Sequence, residues 1–145
     1  MLPAGALSWI VMNWKLVFQL SMFGLAMGIA TVFVISSTIE PLFWLAIFVI
    51  CAYIIAKQAA GRYFLHGLFV SLVNSFWITS AHVLLFQQYI DRHPQEAAMM
   101  ASMPLPTYPR LMMLITGPVI GLVSGVVLGL FAFVASKIVG RRTTA

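Results

Sequence analysis

Four polar residues are spaced so that they share one face of a single apolar segment. They are Ser71, Asn74, Ser75 and His82. At about 100° of rotation per residue in an α-helix, their side chains fall within roughly 100° of one another. Hydroxyl, amide and imidazole groups donate and accept hydrogen bonds, so such a stripe can join two helices or line a polar route. The spacing leaves both interpretations open.

The histidines and the single cysteine do not form a metal-binding pattern. His66 and His82 lie 16 residues apart, which separates them by about 24 Å on one helix. Cys51 is the only cysteine, and this excludes an internal disulfide and any zinc site built from several cysteines. We therefore predict no metal site and no cofactor.

A methionine cluster occupies the segment between the third and fourth apolar segments. Residues 93–103 predict a short helix that begins after Asp91 or His93 and has its methionines on one side. These are Met99, Met100 and Met103. Thioethers can bind Cu(I), can pack on a membrane surface or in a helical bundle, and can form a face that binds another protein. We favour packing.

The sequence also lacks residues at the spacing of a known catalytic motif. Ser124 follows Gly121 by three residues and precedes Gly125, which is not the G-x-S-x-G turn of α/β-hydrolases. The apolar segments contain no paired acid, base and nucleophile. We therefore predict that the protein is not an enzyme.

Glycines recur every four residues in the last apolar segment. This row is Gly117, Gly121, Gly125 and Gly129, and a shorter one, Gly24 and Gly28, lies in the first segment. Glycine lowers helix stability, but it lets two helix backbones approach closely where lipid supplies no hydrophobic driving force. The rows predict close helix packing of the glycine-zipper type, either inside one bundle or between subunits.

The composition places all of these residues in a membrane protein. Of 145 residues, 62% are hydrophobic and 8% are charged, and the mean hydropathy is +1.03. A soluble domain carries about 25% charged residues. This difference excludes a soluble enzyme, a disordered tail and a nucleic-acid-binding module.

Four segments are long and apolar enough to span a bilayer, which takes about 20 residues. We predict one transmembrane domain over residues 1–145, with spans at residues 16–36, 41–57, 64–87 and 111–136 and a linker at residues 91–110. Ser37 and Glu40 have the spacing of a capping box before the second span, although Thr38 or Glu40 as N-cap would suit Pro41 better.

The basic residues predict the orientation. Six of them flank one side of the predicted membrane: Lys15, Lys57, Arg62, Lys137, Arg141 and Arg142. Arg92, Arg110 and all three acids flank the other side. The positive-inside rule then makes both termini cytoplasmic and the linker outward-facing. The most consistent location is the inner membrane of a bacterium.

The predicted fold is therefore an all-α bundle of four transmembrane helices with a short outward linker helix. Two functions remain open at this stage. The first is a non-enzymatic accessory, assembly or scaffold subunit, or a self-oligomer, that acts through helix association. The second is a small oligomeric transporter or channel whose route is lined by the polar stripe. The expected partners are the lipid bilayer and a second copy or another membrane subunit, and no nucleic acid.

Overall fold

The structure, a computed structural model, describes residues 11–139 and has six α-helices in that range. They are α1 (Trp14–Phe33), α2 (Glu40–Gln58), α3 (Tyr63–Leu84), α4 (Phe86–Arg92), α5 (Pro94–Ala101) and α6 (Pro109–Val139). The predicted all-helical fold is confirmed, and α1, α2, α3 and α6 are long and apolar enough to cross a membrane. Arg141 and Arg142, used above to predict the orientation, lie outside the described residues.

Two of the long helices end three residues before the predicted spans do. α1 ends at Phe33 rather than at residue 36, and α3 ends at Leu84 rather than at residue 87. Leu85 leaves helical geometry, with φ −103° and ψ 34°, and α4 follows it. The connection between the last two long helices therefore contains two short helices instead of the single one predicted. The turn at Leu85 allows Tyr89 to pack with Val32 and Met113 in a small buried cluster.

The start of α2 also differs from the predicted capping box. Ile39 is the N-cap and its side chain makes no capping hydrogen bond. Glu40 is the first helical residue, so it is not at the third position that a capping box requires. Its carboxylate instead accepts a hydrogen bond from Trp44 Nε1 at 3.0 Å. Pro41 lies in the first turn, where an N–H would have no helical partner.

α3 is the central helix of the bundle. It packs most extensively against α6, next against α1, while α2 packs mainly on α6. The α3–α6 pair is antiparallel, because Gly67 near the start of α3 meets Gly129 and Thr79 near its end meets Gly117. This arrangement gives α3 protein neighbours on two sides and puts its polar face inside the bundle.

The glycine row of α6 faces α3 along its whole length. A Cβ added to Gly121 would lie 2.5 Å from Ser75 Cβ, and one added to Gly129 would lie 2.7 Å from the Phe64 carbonyl oxygen. The other two glycines of the row meet α3 in the same way; they are Gly117 and Gly125. The α6 row therefore packs within the protomer.

The shorter glycine row of α1 meets α3 on a neighbouring face, since Gly24 meets Asn74 and Gly121 meets Ser75. A Cβ at Gly24 would collide with the backbone and side chain of Asn74. A Cβ at Gly28 would lie 3.1 Å from Ile78 Cα, which is tight but less severe. Both rows thus bring a neighbouring backbone against the central helix.

The buried apolar core lies at one end of the bundle. Most of its members come from the first half of α1, the second half of α2, the first half of α3 and the second half of α6; the exceptions include Met27, Ile35 and Ile47. Examples are Leu16, Cys51, Ile55, Val70 and Leu128. None of residues 40–46 at the start of α2 is buried. At that opposite end α2 leaves space beside α3 and α6.

Candidate binding cavity

A cavity of about 860 Å³ lies between α2, α3 and α6, with α5 and the segment after it at one side. Sites for small molecules have volumes of roughly 300–1,000 Å³. The face of α3 that was singled out from the sequence lines this cavity. Its polar residues there are Ser71, Asn74, Ser75, Thr79 and His82.

Apolar side chains that face away from the bundle form part of the cavity wall. Leu45 of α2 and Ile115, Val119 and Ile120 of α6 line the cavity, and each side chain is more than half exposed. Because these residues belong both to the wall and to the outer surface, the cavity opens sideways between α2 and α6. A molecule that enters there passes an apolar rim before it reaches the polar face of α3.

Asn74 is the most deeply buried polar group on that face. Its side chain is 2% exposed, and its Oδ1 accepts a hydrogen bond from the Gly24 backbone N–H at 3.0 Å. Its Nδ2 is buried and has no hydrogen-bond partner in the part of the chain that the structure describes. A buried donor without a partner costs about 1–3 kcal/mol, so a ligand with an acceptor atom at this point would remove that cost.

The two serines of the stripe are also buried, Ser71 to 3% and Ser75 to 9% exposure. Ser75 Oγ donates a 2.6 Å hydrogen bond to the carbonyl oxygen of Gly117 on α6. This bond crosses the α3–α6 interface at the glycine row. Ser75 therefore joins two helices, whereas Asn74 lines the cavity with an Nδ2 that has no partner within residues 11–139.

His82 begins a stack of three rings that leads out of α3. Its Nε2 lies 2.8 Å from Thr31 Oγ1 of α1. Its ring stacks on Tyr89 with centroids 4.1 Å apart, and Tyr89 stacks on His93 at 4.3 Å. The His93 Nδ1 lies 2.8 Å from the Tyr89 carbonyl, and because a carbonyl only accepts, Nδ1 carries a proton.

Two carboxylates line the cavity at this end. They belong to Glu40 and Glu96, which are 56 residues apart in the sequence. Glu40 Oε1 accepts from the Trp44 indole. Glu96 Oε2 is buried and unbonded as far as residues 11–139 are concerned. Within the same range, no lysine or arginine lines the cavity.

Tyr89 lies between these acids and the protein interior. Its side chain is 7% exposed. Burial raises the pKa of the Tyr89 phenol, and the negative charges of Glu96 and Glu40 raise the pKa further. The phenol is therefore a neutral hydrogen-bonding group at physiological pH.

The linker methionines form one wall of the cavity, where Met99, Met100 and Met103 are joined by Met113 of α6. No group of three or more histidine, cysteine, aspartate or glutamate side chains within residues 11–139 is arranged to hold a metal ion. Thioethers are polarizable and adapt to differently shaped apolar surfaces. This wall suits a flexible hydrocarbon group.

His66 has a structural role at the other end of α3. It is 1% exposed. Its Nε2 accepts the Asn13 backbone N–H at 3.1 Å, and its Nδ1 lies 3.0 Å from the Arg62 carbonyl. The ring therefore ties the start of α1 to the start of α3.

A comparison with protein-family models, with curated proteins and with solved structures finds no match to this chain. The cavity is therefore the feature from which a function can be inferred. Sequence reasoning found the α3 face but did not connect it with Glu40, Tyr89 or Glu96. The available signal was the position of Glu40 and Glu96 beside the predicted spans, since charged residues are rare in such a composition.

Proposed function

We propose that this chain is an integral membrane protein, with both ends in the cytoplasm, that binds a small amphipathic molecule from the bilayer in the cavity between α2, α3 and α6. The observation that carries the proposal is the combination of an apolar rim with a partly polar interior. Amphipathic molecules dissolved in a membrane need both kinds of surface at a binding site. The unpartnered Asn74 Nδ2 gives the interior a specific hydrogen-bond donor.

The orientation of the chain supports the same function. The positive-inside rule puts the start of α2 and the linker on the outward side, so the cavity belongs to the outer half of the bilayer. The closely packed core occupies the other end of the bundle. We therefore favour a binding site that is entered from the lipid over a channel that passes through the bundle.

The packing of the glycines argues against the other candidate function, association with a partner through the α6 row. That row is covered by α3 of the same chain. Assembly with a partner would have to use other helix faces. The polar stripe, by contrast, lines the cavity, so the binding function accounts for the feature that the packing leaves unexplained.

The test uses a long-chain alcohol that carries a photoactivatable diazirine in its chain. The purified full-length protein is placed in nanodiscs of zwitterionic lipid, irradiated with the probe, and analysed by peptide mass spectrometry. We expect saturable labelling of cavity residues on α3, α5 and α6. An excess of unlabelled alcohol should compete with it.

A matched pair of variants controls for position. Leu45→Trp inserts a large ring into the cavity wall. We expect it to reduce the labelling to the level seen with an excess of unlabelled alcohol. Leu42 lies on the same helix, is 68% exposed and is outside the cavity lining that the described residues form. Leu42→Trp should leave the labelling unchanged. Labelling that does not saturate, or that falls equally in both variants, contradicts the proposal.

A further inference from the structure

We infer that the amphipathic molecule carries a fixed positive charge, with Glu40 and Glu96 as its counter-ions, and an acceptor atom deeper in its structure that meets Asn74. This inference rests on the proposed function and adds the chemical class of the ligand. An alkyl chain with a quaternary ammonium head and an internal amide, ester or ether oxygen fits this description.

The charge of the head group follows from the two carboxylates. Both line an otherwise largely apolar cavity, and within the described residues neither forms an ion pair with a basic side chain. The arginines at the same end are engaged elsewhere. Arg92 donates to the Phe33 carbonyl, and Arg110 lies 5.0 Å over the ring of Phe86. Glu96 Oε2 is buried without a hydrogen-bond partner within residues 11–139, which is costly for a carboxylate, and a cationic ligand beside Glu96 and Glu40 would offset that cost.

An aromatic ring at the same end favours an organic cation over a metal ion. Trp44 lines the cavity together with Glu40 and Glu96, whereas both faces of the Tyr89 ring are covered by His82 and His93. The Trp44 indole is held by its hydrogen bond to the Glu40 carboxylate. Aromatic faces attract quaternary ammonium groups through cation–π interaction. One acid and one aromatic ring are thus joined directly beside the proposed head-group position.

The acceptor atom follows from Asn74. Its unpartnered Nδ2 can only donate, and the side chain is almost fully buried. Asn74 and His82 are eight residues apart, so Asn74 lies about 12 Å farther along α3 than the histidine beside the ring stack. A ligand with its cation near Glu96 would present an oxygen about this far along its chain.

Competition against the diazirine alcohol in zwitterionic nanodiscs tests the inference. The competitors have the same chain length and end in a trimethylammonium, a hydroxyl or a sulfonate group, so the charge does not depend on pH. We expect the trimethylammonium compound to compete about tenfold better than the hydroxyl compound, a ratio within the range of a desolvated cation–π contact. The sulfonate should be the weakest of the three.

The variants Glu40→Gln and Glu96→Gln should each lower the ammonium preference severalfold while the alcohol still labels the cavity. Asp91→Asn is the matched control, because Asp91 is an exposed acid of α4 bonded to Gln87. It should leave the preference unchanged. An equal loss in Asp91→Asn would show that the preference comes from general surface charge and would overturn the inference.

A second comparison tests the acceptor atom. A trimethylammonium compound with an amide in its chain should compete severalfold better than its all-carbon counterpart in the native protein, and equally well in Asn74→Leu. If the alcohol labels the cavity but neither head group nor amide changes the competition, the inference is wrong and the proposed function stands. If no probe labels the cavity, both are wrong.

Discussion

Replacing Gly67 by alanine tests how closely α3 and α6 must approach each other. A Cβ at this position would lie 2.7 Å from both Cα and N of Gly129 and 2.7 Å from the carbonyl carbon of Leu128. All three are backbone atoms of α6. They cannot rotate out of the way as a flexible side chain could, so the two helices have to separate.

The size of the effect follows from two opposing contributions. Restoring an ordinary contact of 3.4 Å requires a shift of about 0.7 Å, and overpacking of this kind costs about 1–3 kcal/mol. We take the upper value because the obstacle is backbone. Alanine has a higher helix propensity than glycine by about 1 kcal/mol. The expected net loss in the free energy of unfolding is about 2 kcal/mol.

Gly28→Ala is the matched control on another face of α3. Its Cβ would lie 3.1 Å from Ile78 Cα and 3.2 Å from Ala81 Cβ, so the neighbours need to yield only by a few tenths of an ångström. We expect the gain in helix propensity to offset this strain. The net change should therefore be within about 0.5 kcal/mol of zero.

Reversible unfolding in mixed micelles with increasing mole fractions of dodecyl sulfate measures both effects, with circular dichroism and tryptophan fluorescence as probes. The native protein, Gly67→Ala and Gly28→Ala are compared under identical conditions. A Gly67→Ala variant as stable as the native protein would refute the close approach of α3 to Gly129. Equal destabilisation in both variants would show that the effect is not specific to that contact.

Two further predictions concern single side chains. In an alkaline ultraviolet titration Tyr89 should ionise at a higher pH than an ordinary tyrosine, because burial and the nearby acids raise its pKa. Tyr89→Phe should remove the late component. The raised pKa also makes the free energy of unfolding depend on pH. The stabilising contribution of Tyr89 is present below the ordinary tyrosine pKa of about 10 and is lost as the pH rises above it, because the phenol then ionises more readily in the unfolded chain. His66→Phe keeps an aromatic ring, of larger size, but removes the hydrogen bonds to Asn13 and Arg62, so dodecyl sulfate unfolding should show a loss of about 1.5 kcal/mol or more; an unchanged transition would contradict the structural role of His66.

The polar stripe shows how far sequence reasoning reached. Helical periodicity alone placed Ser71, Asn74, Ser75 and His82 on one face, and the structure has this face along the cavity. The period of a helix is a local property, so side-chain direction follows from residue spacing. The spacing did not distinguish the role of Ser75 from that of Asn74. Ser75 donates a hydrogen bond to α6, whereas the Nδ2 donor of Asn74 has no partner within residues 11–139.

The glycine rows show where the same reasoning stopped. Their spacing predicted a close approach of two backbones, since a row without side chains forms a smooth groove on any helix. It did not identify the neighbouring helix. That choice depends on which surface is complementary to the groove, and the structure places the two rows against neighbouring faces of α3.

The sequence by itself determined the number of long apolar helices and the sides on which their polar and small residues lie. A chain in lipid must satisfy its backbone hydrogen bonds within each segment, so apolar length and helical periodicity are enough for these conclusions. Only the tertiary structure brought Glu40, Tyr89 and Glu96 to one cavity beside Asn74. Such a meeting depends on how α2 diverges from α6 and where the linker folds back, and both are set by packing between distant segments rather than by any local pattern.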